Sequence, residues 1–140
     1  MNVKILMLAA GVAFGTYGVA NAQTATQQAV INAQIAAVSA TCLATPTNCR
    51  AAVNSALEAL SAAGITGAEF DSAIGRLATA VLEIGLSLPR ESQLQMQGAF
   101  FNLRNAATFG SPINLALAQI ASSFARNELT GIRAFLPSPN

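Results

Sequence analysis

The chain has 140 residues, of which 53% are hydrophobic and only 9% charged, and its formal net charge is +1. Its charged residues stand singly, without a basic stripe to neutralise phosphates, so we expect no nucleic-acid partner. It has no histidine and a single lysine, Lys4. Because these residues are the usual bases for a serine or cysteine nucleophile, we expect no enzyme.

The N-terminus has the features of a cleavable signal peptide. Lys4 is followed by an apolar run from Ile5 to about Val19, and the motif Ala20-Asn21-Ala22 closes the segment in the order that signal peptidase recognises. The alternative is a membrane anchor, but the run is broken by glycines and is shorter than the roughly 20 residues of a spanning helix. We therefore predict a signal peptide over residues 1–22, export to the periplasm or extracellular space, and no stable membrane insertion afterwards.

The remaining chain shows helical spacing of apolar residues in five segments and lacks the alternation expected of strands. The sequence thus predicts an all-α fold: a small up-and-down bundle of about five helices over residues 23–129. Pro137 and Pro139 prevent further helix, so residues 130–140 are predicted to be an irregular C-terminal tail.

The first two helices are predicted over about Thr26–Ala40 and from Thr45-Pro46 to about Ala63. A polar residue followed by proline is typical of a helix start. Gly64 follows the second helix at the position where a left-handed residue commonly ends a helix.

The third helix is predicted from Thr66 to about Leu86. Thr66 and Glu69 match a capping box, in which the threonine hydroxyl and the glutamate side chain each pair with the other residue's backbone N–H. A fourth helix is expected to start at Pro89, with its apolar face ending by Gly110, and Ser111-Pro112 is expected to start the fifth.

Cys42 and Cys49 are the only cysteines. An even number of cysteines in an exported chain favours a disulfide, which here would clamp the turn between the first two helices. Two alternatives stay open. A redox dithiol usually has the closer C-x-x-C spacing, and a zinc site would need further ligands. The sequence contains no phosphate-binding or calcium-binding loop, so no cofactor or metal is expected.

The most apolar cluster of the sequence contains Met96, Phe100, Phe101 and Phe109. It is interpreted either as plain core or as the lining of a pocket for an apolar small molecule or lipid. Two functions follow. The first is a non-catalytic protein that binds an unknown protein partner, or itself, through a weakly charged helix face. The alternative is a carrier with the phenylalanines as its pocket wall.

Overall fold

The computed structural model describes residues 24–136, and the predicted signal peptide lies outside them. The described chain forms five α-helices and two short 3₁₀ turns, and it contains no strand. In chain order the elements are α1 (Ala25–Ala44), a first 3₁₀ turn (Pro46–Asn48), α2 (Cys49–Ala62), α3 (Gly67–Ser87), α4 (Arg90–Ala106), α5 (Pro112–Arg126) and a C-terminal 3₁₀ turn (Ile132–Phe135). The predicted all-α bundle of five helices is therefore confirmed. No helix within residues 24–136 is both long and apolar enough to cross a membrane.

Helix α4 has the central position in the bundle, because it packs against α2, α3, α5 and the first 3₁₀ turn. Helix α1 packs against α2 and α3. Consecutive helices are neighbours with one exception: α2 and α3 touch only slightly, since α3 packs along α1 instead. Leu94 and Phe101 of α4 remain partly exposed among the described residues, and the candidate site described below includes them.

A single apolar core joins all five helices. Most of its residues lie on the apolar helix faces expected from the spacing, although Leu94 and Phe101 of the fourth helix remain exposed. Twelve large side chains of the core are under 2% exposed. They are Ile31, Leu60, Ile65, Ile74, Leu77, Leu82, Met96, Phe100, Leu103, Leu117, Ile120 and Phe124. The core is closely packed around Phe124: a Cβ added to Gly85 would lie 3.0 Å from its ring.

Helix α1 begins with a capping box that the sequence analysis did not predict. The Thr24 hydroxyl accepts from Gln27 N at 3.0 Å, and Thr24 N donates to Gln27 Oε1 at 3.2 Å. Gln27 Nε2 also donates to the carbonyl of Ala63, which ties this end of α1 to the end of α2. Helix α1 extends to Ala44, four residues beyond the predicted end, and so carries Cys42 in its last turn.

The connection between α2 and α3 is made by backbone hydrogen bonds. Gly64 has φ +83°, as its predicted role at the helix end requires. Gly64 N donates to Ser61 O, and Ile65 N donates to Leu60 O, which together form a Schellman motif. At the other end of α2 the α-helix starts at Cys49 rather than at Pro46, because Pro46–Asn48 are wound more tightly.

The predicted capping box at Thr66 and Glu69 needs correction. Thr66 is the N-cap residue of α3 and is extended, with φ −141°, but its side chain makes no capping hydrogen bond. Gly67, the first residue of the helix, has φ +63° instead of a helical value. This left-handed residue turns the backbone between Thr66 and Glu69 away from the geometry that a capping box needs.

The later helix starts agree with prediction. Ser111 caps α5, accepting from Asn114 N at 3.2 Å, and Pro112 follows in the first turn. Pro89 directly precedes α4. Arg90 then donates to the carbonyls of Phe124 and Ala125, at 2.6 and 3.2 Å, at the C-terminal end of α5. A cation at this end of a helix is favoured by the helix dipole.

The predicted irregular tail also needs correction, because residues 132–135 form a 3₁₀ turn that belongs to the bundle. Ile132 is only 1% exposed within the core. Arg133 donates from Nε and Nη2 to the Glu83 carboxylate, at 2.6 and 2.8 Å. This pair lowers the pKa of Glu83, chiefly through the hydrogen bonds. The burial of Ile132 and the pairing of Arg133 with Glu83 hold this segment against the bundle, although its sequence lacks helical spacing.

Candidate interaction surface

The four residues of the predicted apolar pocket do not come together. Met96 and Phe100 are fully buried, whereas Phe101 is 42% exposed and Phe109 is 92% exposed. Consecutive residues on a helix point about 100° apart, so Phe100 in the core places Phe101 on the outside. The ring of Phe100 packs against that of Phe124, with centroids 4.9 Å apart. Met96 and Phe100 are therefore core residues, and Phe101 and Phe109 are surface residues.

The described chain does contain an open groove of ≈ 430 Å³ between α5 and the C-terminal 3₁₀ turn. It includes none of the predicted pocket residues. Its walls are largely small or polar side chains, Ala118, Gln119, Ser122, Ser123 and Arg126, with Phe135 at one side. Such a lining lacks the apolar enclosure that a lipid-like ligand needs.

Phe109 lies in a tight turn between α4 and α5, which we call the 108–111 turn. Ser111 N donates to Thr108 O at 3.0 Å, which closes the turn, and Gly110 has φ +79°. Glycine is the residue that adopts this conformation at no steric cost. Phe109 stands between these closing residues, and its ring points away from the bundle.

Side chains from α3 and α5 fix the 108–111 turn from both sides. Asp71 of α3 accepts from Thr108 N at 2.9 Å. Asn114 of α5 accepts from Gly110 N at 3.2 Å and donates to the carbonyl of Arg104 at 2.9 Å. Asn114 is itself 7% exposed, so its two bonds are partly shielded from water, whereas the bond to Asp71 is exposed. The turn that carries Phe109 is therefore held in one geometry.

The second part of the surface is the outer side of α4, formed by Leu94, Gly98 and Phe101, which we call the α4 face. Leu94 and Phe101 are 46% and 42% exposed. They are seven residues apart, about two helical turns, and so lie on one side of the helix. Gly98 lies between them, and Phe101 is near the end of α4 from which the 108–111 turn continues.

Two arginines flank the α4 face. The side chain of Arg50, from α2, lies across Gly98: a Cβ added there would be 2.9 Å from Arg50 Cδ. Arg104 stacks near Phe101, with Cζ 5.9 Å from the ring centroid. Neither arginine forms an ion pair with any of residues 24–136. The hydrogen bond from Asn102 to Asn54, 2.8 Å long, holds α2 beside α4 and so positions Arg50.

The predicted disulfide is confirmed. Cys42 and Cys49 are bonded, with Cα atoms 4.4 Å apart, and both residues are 0% exposed. The bond joins the last turn of α1 to the first residue of α2. No cluster of three or more potential metal ligands exists in the part of the chain that the structure describes.

Sequence reasoning grouped Phe109 with Met96, Phe100 and Phe101 in one apolar cluster, as core or pocket lining, and did not identify the arginines, Asp71 or Asn114. Two signals were available for the phenylalanines. Adjacent Phe100 and Phe101 cannot share one narrow helix face. Phe109 directly precedes a glycine and the predicted Ser111-Pro112 helix start, so it falls in a turn. Contacts such as Asp71 with Thr108 join residues far apart in sequence, and no local pattern indicates them.

Comparison with known proteins gives no relative: no family model matches the chain, and neither a curated protein nor a solved structure matches it.

Proposed function

We propose that this chain is an exported, non-catalytic protein that acts by binding another protein through the α4 face and the 108–111 turn. The observation that carries the proposal is Phe109, a phenylalanine 92% exposed at the tip of a turn that Asp71 and Asn114 fix in place. Removing such a side chain from water contributes about 1.5–3 kcal/mol to the free energy of binding. Because the turn is already ordered, little of that is lost to ordering the loop on binding.

The composition of the surface supports a protein partner. Aromatic residues and arginine are the residues most enriched at the energetic centres of protein–protein interfaces. Here Phe101 and Phe109 supply the aromatic area, while Arg50 and Arg104 supply cations that form no ion pair with residues 24–136. A fitting partner surface has an apolar patch with carboxylates beside it.

A different protein fits this surface better than a second copy of the chain. In a symmetric dimer each surface patch meets its own equivalent. Pairing two α4 faces about Gly98 would bring the two Arg50 side chains together, because each lies across its own Gly98. Like charges opposed in this way weaken association.

Export is proposed on the pattern of residues 1–22 together with the disulfide. Disulfides persist in oxidising compartments and are rare in the cytosol. The buried Cys42–Cys49 bond therefore supports a periplasmic or extracellular location. The carrier alternative gains no support from the described residues, since its pocket residues are divided between core and surface.

Site-specific photocrosslinking tests the binding surface. Phe109 and Phe101 are each replaced by p-benzoylphenylalanine in the full-length chain. Each variant is expressed in the organism that encodes the protein, and the intact cells are irradiated. Leu115 is the matched control position, since it is 57% exposed but lies on the outer side of α5. We expect positions 109 and 101 to crosslink to the same protein and position 115 not to.

Each other result contradicts the proposal in a distinct way. A crosslinked product containing two copies of the chain would show self-association instead of a separate partner. Lipid adducts at 109 and 101 would indicate the carrier function. Equal labelling of all three positions, or no product from 109 and 101, would show that these residues do not form a specific contact.

A further inference from the structure

Gly98 is a glycine in the interior of α4, where alanine would give a more stable helix. Packing of the core explains Gly85 of α3, because an added Cβ there would lie 3.0 Å from the ring of Phe124. At Gly98 the three nearest atoms instead belong to Arg50, whose Cδ, Cγ and Nε would lie 2.9, 3.6 and 3.6 Å from an added Cβ. The missing side chain at Gly98 therefore makes room for Arg50.

The backbone of Arg50 is fixed close to α4. Its neighbour Cys49 forms the buried disulfide. One helical turn later, Asn54 accepts from Asn102 of α4 at 2.8 Å. From this position the Arg50 side chain runs across Gly98, in the middle of the α4 face. A cation therefore crosses the α4 face between its two large apolar side chains.

A partner that covers the α4 face takes Arg50 out of water. Arg50 forms no ion pair with any of residues 24–136. The acidic residue on the same side of α4 is Glu91, seven positions before Gly98 and so about 10 Å away along the helix. Burying a cation without a hydrogen-bonded anion opposes association. A complex at this face therefore requires that the partner supply an anion to Arg50.

We infer that the partner places a carboxylate against Arg50, and apolar side chains on either side of that carboxylate against Leu94 and Phe101. The inference rests on the proposed function and names the residue that selects the partner. A guanidinium can bind a carboxylate through two parallel hydrogen bonds, so Arg50 distinguishes an acidic residue from a neutral or basic one at this position. The matching segment of the partner has an acidic residue between two apolar residues.

The first test removes the charge of Arg50 and keeps an apolar side chain over Gly98, in the variant Arg50→Met. Arg126→Met is the matched control, because it makes the same change of charge on α5, where Arg126 pairs with Glu128. Photocrosslinking from position 101 is measured in both backgrounds, after circular dichroism has shown unchanged helical content. We expect the yield of crosslinked partner to fall about tenfold or more in Arg50→Met and to stay within about twofold in Arg126→Met.

The second test detects the carboxylate itself. The chain has a single lysine, Lys4, so Arg50→Lys introduces the one lysine of residues 24–136. A carbodiimide joins an amine to a carboxylate in direct contact with it, without a spacer. We expect mass spectrometry to find an amide between position 50 and an aspartate or glutamate of the same protein that crosslinks to position 101. Arg126→Lys is the matched control and should not couple to that protein.

The outcomes separate this inference from the proposed function. An unchanged yield in Arg50→Met, with no amide from position 50, would overturn the inference and leave the proposed function intact. Equal losses in the two methionine variants would also overturn it, because they would show a general effect of charge. Coupling of position 50 to a second copy of the chain would contradict both. Failure of crosslinking from positions 101 and 109 without any change at Arg50 would overturn the proposed function itself.

Discussion

Two helix connections in this protein are fixed by different means and present different surfaces. Between α1 and α2 the chain is closed by the Cys42–Cys49 bond, and both cysteines are completely buried. Between α4 and α5 the 108–111 turn has no covalent closure and depends on hydrogen bonds from Asp71 and Asn114. The first connection buries the atoms that close it. The second holds a phenylalanine ring in solvent.

Under the proposed function, the first connection stabilises the fold and the second presents a residue for recognition. A disulfide constrains the unfolded chain and contributes to stability whatever the turn presents to solvent. The hydrogen bonds around the 108–111 turn instead specify one backbone geometry at a residue that contributes little to the core. An ordered exposed aromatic residue gains its apolar contacts when a partner covers it.

The largest effect is expected from the disulfide. Reducing the wild-type protein should lower its free energy of unfolding by about 2–3 kcal/mol, because the unfolded chain regains the entropy of a closed loop. The thermal midpoint should fall by about 10 °C. Circular dichroism melts of the oxidised and reduced protein measure this. Helical content before the transition should be unchanged, since the apolar core remains.

The Cys42→Ala, Cys49→Ala double variant is the control for this effect, because it removes the bond without a reductant. It should melt at or slightly below the reduced protein, as the truncated side chains also lose some packing. Equal melting temperatures for the oxidised and reduced wild type would mean that the bond does not stabilise the fold, and the contrast between the two connections would disappear.

The next effect concerns Asn114. Changing Asn114→Ala removes the partner of Gly110 N–H and of the Arg104 carbonyl in a partly buried site, which should cost about 1–2 kcal/mol in urea denaturation. Crosslinking from position 109 should fall as well, because the turn is no longer held in one geometry. Asn105→Ala, an exposed position on α4, is the matched control and should change stability by less than about 0.5 kcal/mol.

If Asn114→Ala lowered stability but left crosslinking from position 109 intact, it would contradict the assignment of the 108–111 turn to recognition. The hydrogen bonds would then stabilise the bundle without being required for recognition. Unchanged stability would instead show that the 108–111 turn does not depend on this side chain.

Variants at a third connection, between α2 and α3, test whether backbone hydrogen bonds alone can fix a turn. Thr66→Ala should cost only a few tenths of a kcal/mol, since the Thr66 side chain makes no capping bond. Thr24→Ala should cost about 1 kcal/mol, because it removes a formed cap. The midpoints of urea denaturation compare the two variants. A larger loss for Thr66→Ala would show that its hydroxyl does cap α3 in solution.

The smallest effect is expected from Phe109→Ser. With its ring already in solvent, the change should alter the free energy of unfolding by less than about 0.5 kcal/mol. Capture of the partner, once identified by crosslinking, should nevertheless be lost. Leu115→Ser is the control and should leave capture intact. A substantial loss of stability on changing Phe109 would assign the residue to the fold instead of to recognition.

Helix number, the disulfide and most helix starts could be predicted because their signals are local. Apolar spacing, Ser111-Pro112 and Gly64 each determine a conformation within a few residues. The two capping motifs show the limit of such patterns. The Thr24 and Thr66 sequences both match a capping box, but the threonine side chain caps the helix only at Thr24, and Gly67 adopts a left-handed conformation after Thr66.

The candidate surface was harder to predict, for a physical reason. Which apolar side chains remain exposed depends on which helices become neighbours, and Leu94 and Phe101 of α4 stay 46% and 42% exposed although α2, α3 and α5 pack against this helix. The contact of Arg50 with Gly98 and that of Asp71 with Thr108 arise from the same tertiary packing. Composition predicts a weakly charged surface, but it could not identify the exposed face.

The position of the disulfide also has a consequence for the order of folding. Its cysteines are separated by only 7 positions in the chain. Closure of a loop this short takes about 10–100 ns, so the two thiols meet repeatedly long before the slower oxidation joins them. With two cysteines in the whole chain, only one intramolecular pairing exists, so no disulfide isomer has to be reshuffled. A growing chain can therefore acquire the bond once α1 and the first residue of α2 are accessible to an oxidant, before α4 arrives to complete the core.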